Sequence, residues 1–318
     1  MNRSVPEQEE VRSSDTEAPQ LLDAGTLGAL ERLTLVSLDA VLAGVAGARA
    51  NDRRGFAPEF ADYRAYTPGD DLRQLDWHVY LRLRELLVKI GPQEGHLELD
   101  LLIDTSRSMD PGAAGPSHGR PSKLRHAQRV AAALGAVALL RADAVRTWAL
   151  SDGDAEAGAR LDAPRMLAGL ERELSRLAPG LGTDLPESVR SYRNAAAAPD
   201  MAILISDALV PTASLAESLH ELASAARTSA LVHVVERAEA ARIPRGAVVL
   251  RDRETGRQLE LSVNESLAAA YEERVERFHR AVEEVCADAG VRYLPAPTDV
   301  SVLDLLSTSA RLAGLVAA

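Results

Sequence analysis

Aromatic residues are scarce in this chain: only 3% of its 318 residues are Phe, Trp or Tyr. A core must therefore be built mainly from Leu, Val and Ala. Cysteine is nearly absent. The single thiol, Cys286, excludes an internal disulfide and says little about redox compartment. Excess positive charge is missing too. A formal charge of −11 disfavours nucleic acid as a partner, since phosphate binding needs a basic stripe. No apolar run reaches the roughly 18 residues needed to span a membrane. The longest candidate, Val130 to Leu140, is Ala-rich, too short, and reads as a buried core helix. Met1 to Pro19 is polar and acidic with no apolar h-region, so no signal peptide is expected. These absences together predict a cytoplasmic protein without a membrane span.

What is present is an ordinary globular composition, 46% hydrophobic and 26% charged, enough for one sizeable domain and a smaller companion. Residues 1–20 read as a disordered tail, charged and without periodicity. Residues 21–95 read as an N-terminal helix followed by an irregular segment with β-strand. Thr26 to Ala48 keeps Leu27, Leu30, Leu38, Val41, Leu42 and Val45 at roughly helical spacing. Arg53 to Arg84 shows neither helical nor strand period, and Leu86 to Ile90 reads as a strand.

Residues 96–318 alternate strands with helices. His96 to Ile103 is a strand that begins with Glu98 and Asp100 between apolar residues, turns wholly apolar from Leu101 and ends at Asp104. Lys123 to Leu140 is a helix with Ser122 as its N-cap after Pro121. Arg146 to Leu150, Met201 to Ser206 and Ala230 to Val235 are strands. Pro164 to Leu177 and Ser214 to Ala226 are helices. Ala247 to Arg251 and Gln258 to Val263 form a hairpin. Ser266 to Ala289 is a long helix, with Tyr271, Val275, Phe278, Val282 and Val285 as a sustained buried face and Gly290 at its C′ position. A strand, Val291 to Leu294, and a helix, Val300 to Leu315, complete the pattern. This alternation predicts a mostly parallel α/β sheet covered on both faces.

The chemistry concentrates at Asp104-Thr105-Ser106-Arg107-Ser108. An apolar strand ends there in Asp-x-Ser-x-Ser, and open α/β sheets bind ligands beyond the carboxyl ends of their strands. One carboxylate and two hydroxyls are hard oxygen ligands that suit Mg²⁺ or Mn²⁺ and suit Zn²⁺ poorly. Downstream, Gly182-Thr183-Asp184 can add a hydroxyl from Thr183, and Ser206-Asp207 closes another strand and can add a second carboxylate. Taken alone, Asp104 could be a turn cap with Ser106 and Ser108 as turn formers. The downstream Thr183 and Asp207 favour metal.

Asp104, Ser106, Ser108, Thr183 and Asp207 in this order resemble the metal-ion-dependent adhesion site of von Willebrand factor A domains. In that family the five positions hold the metal, and a partner's carboxylate often completes the shell. The preceding segment is similar to the signature of the bacterial domain-of-unknown-function 58 family. Its matching residues are Gly55-Phe56, Glu59-Phe60, Tyr63-Arg64, Tyr66, Pro68-Gly69-Asp70-Asp71, Arg73 and Asp76-Trp77. The resemblance runs from about Arg53 to the C-terminus. It implies a von Willebrand factor A-like (Rossmann-like) sheet, a bound Mg²⁺ or Mn²⁺, and a MoxR-type AAA+ ATPase as partner in a chaperone-like system. Residues 110–122 form a longer loop than the family leads one to expect, read as a tolerated surface insertion.

Other residues read as structural. Asp76 with Arg64, Arg73, Arg82 and Arg84 reads as ion pairs fixing the irregular segment, and Cys286 as a core thiol. The seven histidines show no zinc spacing. The expected function is a non-enzymatic protein-interaction module that takes a carboxylate-bearing partner through the metal. The alternative is a metal-dependent hydrolase of phosphate esters. That alternative needs a general base, and only His118, Lys123, Asp110 and Asp184 lie near enough in sequence to supply one. The partner's identity and the oligomeric state are not readable from the chain.

Overall fold

The computed structural model describes residues 20–36, 62–65, 87–90, 96–109, 122–180, 182, 184–236, 246–251 and 258–317. Helix α1 (Ala24–Leu30) is capped by Asp23, whose carboxylate accepts from Thr26 N at 2.8 Å. Strand β1 (Thr34–Leu35) follows. Strands β2 (Asp62–Ala65) and β3 (Leu87–Ile90) pair antiparallel, Asp62 opposite Ile90.

The regular alternation starts with β4 (Glu98–Asp104), α2 (Lys123–Leu140) and the antiparallel pair β5 (Ala144–Ser151) and β6 (Asp154–Ala157). Next come α3 (Leu167–Ser175), α4 (Leu185–Ala195), β7 (Met201–Ser206), α5 (Thr212–Ala225) and β8 (Thr228–Val235). A hairpin, β9 (Gly246–Arg251) and β10 (Gln258–Val263), leads into α6 (Glu265–Asp288) and β11 (Arg292–Pro297). The chain then makes an α turn at Val302–Asp304, a π turn at Leu305–Ser309 and an α turn at Ala310–Leu312 before β12 (Val316–Ala317).

The main sheet has six strands in the order β11-β8-β7-β4-β5-β6, all parallel except β6. Successive side chains of a strand face opposite layers, and β4 divides its residues accordingly. Leu99, Leu101 and Ile103 join the cluster formed with α1, α2 and α3, while Leu102 joins Trp148, Val189, Tyr192, Leu215 and Leu219 on the other face. With helices on both faces the central strands have no solvent side, and every residue of β7 is buried. Helix α2 is buried nearly all round, so its alanines suit a helix packed tightly between sheet and neighbours.

Several elements differ from the sequence expectation. The first helix ends at Leu30, and the chain turns into β1, which pairs with β12 through Thr34–Ala317 and Leu35–Val316. Arg292 Nη1 donates to Val36 O at 2.8 Å and to Gly314 O at 2.6 Å, clamping both segments. Tertiary pairing overrides the local helical stripe there. The rest of that stripe, from Leu38 onward, lies outside the described residues. Leu21, Leu22, Leu30, Leu33 and Leu35 belong to the same core cluster as β4 and α2.

Helix α4 was not legible because its stripe is narrow: Leu185, Val189 and Tyr192 are its large buried side chains in an otherwise polar run. The expected buried face of α6 is only partly buried. Val282 is fully covered, with Ala268 and Cys286, whereas Tyr271, Val275, Phe278 and Val285 are half-buried. This helix packs on α5 and β11 as an outer layer, so one side of its stripe stays partly open. The single helix expected over Val300 to Leu315 is interrupted by the π turn.

Candidate metal centre

The path from β4 to β5 runs toward one edge of the sheet, whereas β7, β8 and β11 run toward the other. The boundary between β4 and β7 is therefore the topological switch point, where open α/β sheets hold ligands. Strand β4 ends there in Asp104, and β7 ends in Ser206 followed by Asp207.

The Asp-x-Ser-x-Ser turn folds back on its own strand. Asp104 Oδ1 accepts from Ser106 N at 2.8 Å, and a 3₁₀ turn over Arg107–Met109 carries Ser108 inward. Ser106 Oγ and Ser108 Oγ lie 2.9 Å apart, and Ser108 Oγ donates to Asp207 Oδ1 at 3.1 Å. Leu209 N donates to the same oxygen at 3.2 Å. Asp207 is thus aimed by the tight turn after β7, in which Ala208 takes the left-handed conformation with φ of 53°. Asp104, Ser106, Ser108 and Asp207 form one connected group of oxygens. Both carboxylates are 2% exposed, too buried to be ordinary surface caps.

Thr183 lies outside the described residues. Gly180 N, earlier in the chain, donates to Thr105 O at 2.6 Å. Asp184 caps α4, its carboxylate accepting from Glu187 N at 3.2 Å. Asp110 and His118 also lie outside the described residues.

Three further residues complete the cluster. Ser206 Oγ donates to Asp104 Oδ2 at 2.5 Å and accepts from Ala208 N at 3.0 Å. His233 Nε2 sits 3.1 Å from Asp207 O, with its Nδ1 3.0 Å from the Tyr293 hydroxyl. Lys123 Nζ donates to Asp207 Oδ2 at 2.9 Å, the two side chains being 1% and 2% exposed. A faint sequence signal for Lys123 exists: a cation in the first turn of a helix opposes the macrodipole, which calls for a nearby carboxylate. Ser206 was visible only as Asp207's neighbour, and nothing local marks His233.

Burial, and secondarily the Asp207 carboxylate, push the Asp104 carboxyl up to about 6, against the hydrogen bond from Ser206. The His233 imidazole is pushed down to about 4, first by burial and then by His279. Among the described residues no three His, Cys, Asp or Glu side chains gather in a metal-binding group. Metal binding would therefore rest on two carboxylates supplemented by hydroxyls. That set fits a hard divalent cation such as Mg²⁺, and added positive charge would offset both the burial and the Asp207 repulsion that raise Asp104.

Four residues upstream, β4 carries a second buried carboxylate. Asp100 is 7% exposed and accepts from the Tyr192 hydroxyl at 3.0 Å on the same sheet face as Asp104. Burial raises its carboxyl above the ordinary value, opposed by the Tyr192 hydroxyl. Glu98, with the same parity, remains exposed.

Comparison with known proteins gives the following. The family model described as "Protein of unknown function DUF58" matches residues 62–282. The uncharacterized proteins Rv1480 of Mycobacterium tuberculosis and Mb1516 of Mycobacterium bovis are each 36% identical over 104 residues, which is 31% of this chain. That match spans only 30% of the length of those curated relatives. The crystal structure of conserved hypothetical protein BatB from Bacteroides thetaiotaomicron is 18% identical, covering 68% of this chain and 98% of its own, with a TM-score of 0.44. An aerotolerance-related membrane protein from Bacteroides fragilis is 16% identical, covering 61% of this chain and 98% of its own, with a TM-score of 0.33. Among the described residues no helix is long and apolar enough to cross a membrane.

Proposed function

The chain belongs to the DUF58 family, whose function is unknown, and from its site we propose that it is a protein-interaction module. In this reading residues 96–318 form a von Willebrand factor A-like domain. Asp104, Ser106, Ser108, Thr183 and Asp207 form a metal-ion-dependent adhesion site for Mg²⁺ or Mn²⁺. The carrying observation is the convergence of Asp104, Ser106, Ser108 and Asp207 at the switch point between β4 and β7. When bound, the metal would supply a coordination position for an outside oxygen, which a carboxylate of a partner protein suits. This chain's own part is to hold the two carboxylates and two hydroxyls in place, through Ser206 and the turn at Ala208.

The partner we propose is a MoxR-type AAA+ ATPase in a chaperone-like, cytoplasmic system, on the strength of the sequence signature between Gly55 and Trp77. A binding role is preferred to hydrolysis because Asp184, a described candidate for a general base, is engaged in a helix cap away from the metal oxygens. Its carboxylate accepts from Glu187 N at the start of α4.

Co-purification of the full chain with the MoxR-type ATPase of its own host tests this proposal. Capture should require Mg²⁺, disappear in chelator and disappear in Asp104→Ala. Equal capture in all three conditions rejects the metal-mediated reading.

A further inference from the structure

The metal reading uses oxygens only, yet a positive charge already stands among them. Lys123 is the first residue of α2, directly after the N-cap Ser122, whose hydroxyl accepts from Arg125 N at 3.1 Å. Its stem is covered, and its ammonium lies 2.9 Å from Asp207 Oδ2 at 1% exposure. Taking an ammonium out of water is costly unless a partner charge is fixed to receive it. Here the receiver is one of the same two carboxylates that the metal reading requires.

We infer that Lys123 is a tethered counter-cation of this centre: its ammonium and a divalent cation compete for Asp207, and metal binding releases Lys123 from that carboxylate. This rests on the metal reading above. The charges argue for exchange rather than coexistence. Two carboxylates and one ammonium carry a single net negative charge. Adding a divalent cation beside the ammonium reverses that sign inside a buried site, where like charges are poorly screened.

The geometry says which group moves. Asp207 Oδ1 is held by Ser108 Oγ and Leu209 N, so the carboxylate is fixed from the other side. The lysine stem has four rotatable bonds and can re-aim its head without moving the helix. An ion tethered this way competes at an effective concentration on the order of millimolar or more, so metal occupancy is set below what the oxygens alone would give.

Calorimetric titration of MnCl₂ into the full chain, into Lys123→Met and into Lys123→Arg tests this. Lys123→Met should bind Mn²⁺ at least about tenfold more tightly than the wild type, while Lys123→Arg should not. Unchanged or weaker binding by a folded Lys123→Met overturns the competition and leaves the metal reading standing. No Mn²⁺ bound by either the wild type or Lys123→Met overturns both.

A second measurement needs no variant. Acetic anhydride labelling of wild-type Lys123, read by mass spectrometry, should be slow in chelator and several-fold faster at saturating Mn²⁺. Equal protection at saturating Mn²⁺ overturns the inference.

Discussion

Asp100 and Asp104 are two buried carboxylates on one face of one strand, and they have opposite characters. Asp100 is closed in by the Tyr192 hydroxyl and the Trp148 layer, in the middle of the sheet. Asp104 stands at the strand's end, tied to Ser106 N and Ser206 Oγ, with Ser108, Asp207 and Lys123 gathered around it. Both carboxyls are raised by burial. Burial and a raised pKa therefore do not distinguish the two carboxylates. The difference is convergence: Asp100 has the Tyr192 phenol, with Trp148 and Arg146 nearby, whereas Asp104 shares its surroundings with a second carboxylate and three hydroxyls.

The sharpest test of this contrast is metal affinity. Asp104→Ala should lower Mn²⁺ affinity by about 100-fold or more, since even outer-shell changes at metal sites cost tenfold to a hundredfold. Asp100→Asn should leave it unchanged, as measured by calorimetry. Comparable losses from both variants would break the comparison.

Stability should show the reverse dependence. Tyr192→Phe removes the phenol that donates to Asp100 and leaves a buried carboxyl short of a donor. It should cost about 1–3 kcal/mol in urea unfolding while Mn²⁺ binding persists. A cost below about 0.5 kcal/mol, less than the usual worth of one hydrogen bond, would show that Asp100 does not depend on Tyr192.

A smaller effect concerns a buried ionisable group that is neither tied nor gathered. His126, one turn after Lys123, is 1% exposed and its Nε2 has no hydrogen-bond partner. Burial, and then Arg129, push its imidazole down to about 4 from 6.5. The unfolded chain therefore takes up the proton first as pH falls. The stability from keeping His126 neutral is complete above about pH 6.5 and is lost between 6.5 and 4. Between pH 7 and pH 5 the wild type should lose about 2 kcal/mol more than His126→Gln, measured by urea unfolding at each pH. Parallel losses would mean that His126 finds a partner on protonation.

Much of this arrangement was legible from the sequence, for identifiable reasons. Strand β7 reads directly because six consecutive buried residues cannot be mistaken for a surface element. The start of α2 at Lys123 reads from Pro121 and Ser122, because the cap is local chemistry. Asp104, Ser106, Ser108 and Asp207 read from their positions at strand ends, which the fold class turns into one place. What was not legible depends on distant contacts. Lys123 acquires its role from Asp207, which lies 84 residues away. Strand β1 is set by β12 and the Arg292 clamp, against a helical stripe that continued past it. Helix α4 hides its stripe among charges, because three large buried side chains suffice when the sheet supplies the rest of the core.

The pairing of β1 with β12 has a mechanical side. Val36, which precedes the Gly55 to Trp77 signature in sequence, has its carbonyl held by Arg292. Leu97, which follows the signature in sequence, donates its N–H to Asp143 Oδ1 at 2.9 Å. Both flanking residues are thus tied down by a distant side chain. Val36 directly follows β1, which pairs with β12; Leu97 is the residue directly before β4. A pull on the chain at Leu97 would pass directly into β4, the strand that ends in Asp104.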